Sequence, residues 1–175
     1  MVRQTERGIG MKGFSRDGYI TDQNALKDYR YRGMTSDVNG CGWVAAFNMR
    51  RALGQSAEFD DVRRELNAMF PLQIPGPTPM RKLRRYLKRY IPFRVVRGKR
   101  RALAAAEKSR CGILRYWEGR SPHFIAFLRL PDGRYRFLNV SDGREDIVSP
   151  MDAFFEKHCH KGWIRVVVDD EQLSG

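Results

Sequence analysis

His123-Phe124-Ile125-Ala126-Phe127-Leu128-Arg129-Leu130-Pro131-Asp132-Gly133-Arg134-Tyr135-Arg136-Phe137-Leu138-Asn139-Val140 reads as two β-branched and aromatic-rich strands around one turn. Pro131 suits the first central position of a type I turn, and Gly133 suits the left-handed bulge position after it. A three-residue loop follows, with Leu130 opposite Arg134. In that register His123 falls opposite Ser141, and Asn139 is its diagonal neighbour on the same face. A loop one residue shorter or longer would turn Asp142 toward His123 instead.

Outward from this hairpin the chain changes period. Segments 112–117 and 163–168 add two strands, and Ser149-Pro150-Met151-Asp152 opens a helix with an N-cap and a proline behind it. Upstream the pattern is helical. In 42–53, Ala46, Met49 and Leu53 recur at helical spacing, and Trp43, Val44 and Phe47 widen the apolar face. A helix apolar nearly all round is buried, and Gly54 is its stop. A second helix carries Phe59, Val62, Leu66, Met69 and Phe70. Thr78 and Pro79 read as N-cap and first helical residue of a third, running to about Tyr90. Residues 93–96 read as a short strand and 99–108 as another helix. Helices first and an antiparallel sheet after is an α+β order. Residues 1–38 read as an irregular arm with a short helix near 24–29. Residues 39–110 form the helical half and 111–170 the sheet half of one domain.

The chain has 175 residues, 42% of them hydrophobic, which suits a globular domain with a real core. No apolar run is long enough to span a bilayer. The first residues lack the apolar middle of a secretory signal, so the expected location is cytoplasmic. The three cysteines, Cys41, Cys111 and Cys159, are odd in number and widely spaced, which argues against a disulfide framework. No pair has zinc-site spacing. His158-Cys159-His160 is the only Cys/His cluster, and adjacent residues on a helix point apart. No metal or cofactor is expected.

Net charge is +13, and residues 80–110 hold 13 Lys or Arg against one acid, Glu107. The rest of the chain is therefore close to neutral. Arg81, Lys82, Arg84, Arg85, Lys88 and Arg89 surround the apolar stripe Met80, Leu83 and Leu87 of the third helix. Such a block either solvates a helix face or attracts an acidic or nucleic-acid partner, with Tyr86 and Tyr90 available for stacking.

Asn39-Gly40-Cys41-Gly42-Trp43 places a thiol where the buried helix begins. The positive end of a helix and a nearby imidazolium both favour a thiolate, and free N–H groups there suit an oxyanion. The flanking glycines allow a tight turn and close approach of a substrate. His123, 82 residues on, is the candidate base. A third group should accept the second imidazole N–H. The turn chemistry favours Asn139, with Asp142 the alternative.

These residues resemble papain-like cysteine peptidases. Asn39-Gly40-Cys41-Gly42-Trp43 with its Ala-containing helix is similar to their nucleophile helix. Ser121-Pro122-His123-Phe124-Ile125-Ala126-Phe127, with Asn139 sixteen residues after His123, is similar to their His and Asn strands. The nearest branch is the bacterial peptidases that process double-glycine leader peptides. The resemblance implies a central nucleophile helix packed on an antiparallel sheet. It implies amide or ester cleavage of a peptide or other acyl substrate, with Cys41, His123 and Asn139 as nucleophile, base and orienting group. One departure stands out. The family's Gln a few residues before the Cys is missing, and no Gln lies closer upstream than Gln23. That leaves Asn39 or the backbone N–H of Cys41 for the oxyanion.

Overall fold

The computed structural model describes residues 11–140, 147–160 and 163–169. A short 3-10 turn at Gln23–Ala25 precedes a small hairpin of β1 (Arg30–Tyr31) and β2 (Met34–Thr35). Five helices and two strands follow in the order α1 (Ser36–Asn39), α2 (Cys41–Ala52), α3 (Phe59–Ala68), α4 (Met80–Leu87), β3 (Phe93–Arg97) and α5 (Lys99–Glu107), then β4 (Cys111–Glu118). The chain continues through β5 (Ser121–Arg129), β6 (Tyr135–Leu138), β7 (Ile147–Ser149), α6 (Met151–His158) and β8 (Arg165–Asp169). The fold is α+β. One six-stranded sheet, antiparallel throughout, runs in the order β3-β8-β4-β5-β6-β7.

Two apolar layers flank this sheet. On one face α2, α3 and α4 pack Trp43, Val44, Phe47, Leu66 and Leu83 against Ile113, Phe124 and Val167. On the other, α5 and α6 pack Ala102, Phe154 and Phe155 against Leu114, Ile125, Phe137 and Val166. Residues 41–50 of α2 are all buried, which explains why its apolar residues leave no polar stripe. Each fully buried Leu, Val or Phe of these layers contributes about 1.5–3 kcal/mol.

The hairpin forms as its turn residues require. Leu130 N–H donates to the Arg134 carbonyl at 2.8 Å, Gly133 has φ +85, and Ala126 pairs with Leu138. The register is thus the one that the three-residue loop demands.

Three expectations need correction, and one strand is added. The arm is only partly irregular: Ile20, Leu26 and Tyr31 are core residues, and the Asn48 side chain bonds both backbone groups of Ile20 at 2.9 and 2.8 Å. The helix expected near 24–29 is only the turn at Gln23–Ala25. Strand β7, which the sequence did not suggest, pairs with β6 through only three residues. Thr78 does not cap α4, whose cap position is Pro79. Its hydroxyl is buried and bonds the Tyr31 hydroxyl at 2.9 Å.

Candidate active site

Cys41 is the first residue of α2 and is 6% exposed. The short α1 runs almost directly into α2, and Gly40 between them is itself helical. Val44 N–H to the Gly40 carbonyl, 3.0 Å, is the first ladder bond of α2. In an unbroken helix the Asp37 carbonyl would take the Cys41 N–H. Here it accepts from Gln23 Nε2 at 2.9 Å. The Cys41 N–H therefore belongs to the unladdered first turn, at the positive end of the helix.

The flanking glycines serve packing. A Cβ at Gly40 would stand 2.3 Å from the Ser36 carbonyl oxygen, and one at Gly42 would stand 2.3 Å from Thr78 Oγ1. No side chain fits either position without displacing backbone or a buried hydroxyl. This corrects the expectation that the glycines make a tight turn, because Gly40 has φ −76, open to any residue.

His123 lies on β5 directly opposite Tyr116 of β4, and the two rings meet edge to face at 6.0 Å. Its Nε2 lies 2.8 Å from the Asn139 backbone carbonyl. A carbonyl only accepts, so Nε2 carries the proton and Nδ1 is left to exchange one with the thiol. Burial pushes the His123 pKa down. The hydrogen bond and charge of Cys41 outweigh it, aided by the Asn139 carbonyl and Glu118, so the net shift is upward. The Cys41 thiol is thus the group whose influence holds the His123 pKa up against burial.

Asn139 reaches His123 by a different atom from the one expected. Strand β6 ends at Leu138, and Asn139 turns into the left-handed region with φ +65, which Asn tolerates better than most residues. That turn aims its carbonyl at the imidazole. The side chain points instead to Gln23: Oδ1 accepts from the Gln23 N–H at 2.9 Å, and Nδ2 donates to Gln23 Oε1 at 2.8 Å. Gln23, 9% exposed, thus holds Asn139 and the Asp37 carbonyl together. Sequence reasoning saw Gln23 only as too distant for the oxyanion role. Its partner lies 116 residues away, a pairing no local pattern encodes.

Asn39 is buried, with Nδ2 in a long 3.5 Å bond to the Gly76 carbonyl and Oδ1 unpartnered. Asp142 lies outside the described residues. Arg115 on β4 is a residue the sequence did not flag. Burial first and then the Arg165 charge lower its pKa, and Cys41 offsets them only in part.

The basic helix forms a separate surface. Arg81, Arg85, Lys88 and Arg89 are exposed and Arg84 half-buried. Lys82 donates to the Met69 carbonyl at 2.8 Å. Lys82, Arg85 and Arg89 line a hollow with Glu65, Ala68 and Met69 at the α3 side. Tyr86 is fully buried and bonds Arg50 at 2.7 Å, so it is not available for stacking. His158 stacks on Phe154 and Cys159 is buried, its thiol pushed up to about 12 by desolvation. Among the described residues no three His, Cys, Asp or Glu side chains cluster as metal ligands, and no helix is long and apolar enough to cross a membrane.

A scan against protein-family models and a search of curated proteins returned no match to this chain.

Proposed function

We propose that this protein is a thiol hydrolase of papain-like arrangement, acting on a peptide or related acyl substrate. The observation that carries the reading is the His123 ring, bonded to the Asn139 carbonyl and with its pKa held up by Cys41, the first residue of a buried helix. The Cys41 thiolate attacks the acyl carbon, and the Cys41 backbone N–H stabilises the oxyanion that forms. His123 gives its Nδ1 proton to the leaving amine or alcohol. It then takes a proton from water, whose oxygen displaces the sulfur and releases the acid. Asn139 and Gln23 orient the imidazole and do not touch the reacting atoms.

The test is alkylation by iodoacetamide across pH, with the modified cysteine identified by mass. Cys41 should react faster at neutral pH than Cys111 and Cys159. Equal or slower reaction at Cys41 rejects the proposal.

A second reading concerns the basic surface. Of the 13 cations in residues 80–110, Arg110 alone has an acid partner among the described residues, Asp169. An uncompensated surface of this kind fits a polyanion, and it is compatible with the hydrolase. Salt-dependent retention of a Cys41→Ala variant on nucleic acid or heparin supports it, and failure to bind at low salt removes it.

A further inference from the structure

The sheet face that carries α2 ends in a row of arginines. Arg97 of β3 pairs directly with Arg165 of β8, and Arg165 pairs with Arg115 of β4. The neighbour of Arg115 on β5 is Phe124, the residue after His123. Directly paired residues project from one face. It is the α2 face, because Val95, Val167 and Ile113, two residues along each strand, pack in that core. Neighbouring strands are about 4.8 Å apart, so the three arginine side chains leave the sheet from adjacent positions on one face.

Like charges directly opposite one another destabilise a sheet. None of the three has an acid partner among the described residues. Arg165 and Arg115 are half-buried, and Arg165 Nε is buried without a hydrogen-bond partner. The Arg115 guanidinium lies 5.8 Å from the centre of the Phe124 ring. Two half-buried arginines thus leave the sheet at paired positions, one with an unused buried donor, and an oxyanion would satisfy both. The guanidinium fork matches a carboxylate in two parallel hydrogen bonds.

We propose that Arg97, Arg165 and Arg115 form a binding groove for a carboxylate-bearing stretch of the substrate and lead it to Cys41. The inference rests on the thiol-hydrolase reading and gives it a substrate class, an acidic peptide. The row is distinct from the α4 surface, since it lies on the sheet and its inner end pairs with Phe124, which shares a core with Cys41.

Two alkylating reagents test it without a known substrate. Iodoacetate and iodoacetamide both form a carbon–sulfur bond and release iodide, and they differ in charge. The ratio of their rates therefore isolates attraction of an anion, whatever the intrinsic reactivity of the thiol. At Cys41 the ratio of iodoacetate to iodoacetamide should exceed that of free cysteine by about tenfold at low salt. It should fall most of the way back in Arg115→Gln and Arg165→Gln, and less in the outer Arg97→Gln. Arg115→Lys, which keeps the charge, should retain most of it and serves as the folding control. A ratio like that of free cysteine, unchanged by these substitutions, overturns the groove even where Cys41 reacts fast. A Cys41 slow toward iodoacetamide overturns the hydrolase reading instead. Protection of Cys41 by a short Glu-rich peptide, weaker for inorganic phosphate, supports the peptide assignment. Equal protection by phosphate overturns it.

Discussion

The corner around Cys41 and the surface around α4 are built in opposite ways. At the corner Gln23, Asn139 and His123 are buried and matched atom to atom, and Gly40 and Gly42 touch neighbours that leave no room for a methyl group. On α4 Arg81 and Arg85 face solvent, Lys82 and Arg84 are half-buried, and no acid pairs with any of them among the described residues. Geometry specifies the first region, so a change of one atom should register there. Summed charge specifies the second, so single changes should be nearly silent and salt should matter most.

The sharpest contrast is at Gly42. A Gly42→Ala methyl group would meet Thr78 Oγ1 and Cβ at 2.3 and 2.4 Å. Overpacking of this kind costs about 1–3 kcal/mol. Loss of the Tyr31 bond adds to it if Thr78 is displaced. Chemical denaturation of Gly42→Ala beside Arg85→Ala measures the difference. The α4 substitution should stay within about 0.5 kcal/mol of the parent. Equal effects would erase the distinction between the two regions.

Gln23 gives the next largest effect. Gln23→Ala strands the Asn139 amide and releases the Asp37 carbonyl to compete for the Cys41 N–H. Cys41 alkylation at neutral pH should fall by about tenfold, an unsatisfied buried amide being worth about 1–3 kcal/mol. Asn139→Gly should do less harm than Asn139→Val. Glycine keeps both the left-handed turn and the carbonyl that holds His123, whereas a β-branched residue resists φ +65. The reverse order would mean that the Asn139 side chain, not its backbone, is what the imidazole needs.

The fold was far more legible than this network. The hairpin followed from Pro131 and Gly133, and α2 to α4 from apolar spacing, because those signals act within a few residues of each other. What stayed hidden acts at long range. Nothing local places β8 between β3 and β4, and so nothing local aligns Arg97, Arg165 and Arg115. The three residues of β7 are too few to show a period. Thr78 looked like a cap because Thr-Pro is a common helix start, but the Tyr31 hydroxyl outcompeted the helix end for it. The thiol, the imidazole and Asn139 could be named from sequence. That the Asn139 carbonyl would face the ring could not, since it depends on a left-handed turn fixed by Gln23.

The pH response should separate the regions further. The His123 pKa lies above its ordinary value of 6.5, so the imidazolium is favoured in the folded protein. Its contribution to stability is fully present below the ordinary imidazole range and is lost as pH rises through the raised value. The alkaline limb of Cys41-dependent hydrolysis, which needs the His123 proton, should therefore fall above pH 6.5 and follow the His123 titration seen by NMR. A limb at or below the ordinary value would contradict the pairing with Cys41. Binding to a polyanion through α4 should show no such limb there, since Lys and Arg stay charged through that range.

Removal of one charge on α4 is the smallest effect. Arg81→Ala or Lys88→Ala should leave stability and Cys41 alkylation unchanged within error, and should lower polyanion retention by one increment each. The slope of log affinity against log salt then drops by roughly one per cation that contacts a phosphate. Additivity is the informative part. Exposed cations without partners act through the common field, so the decrements should sum as Arg81, Arg85, Lys88 and Arg89 are removed in turn. A single substitution that abolishes retention would point to a site with its own geometry in the hollow beside Glu65, and α4 would then obey the same rule as the corner around Cys41.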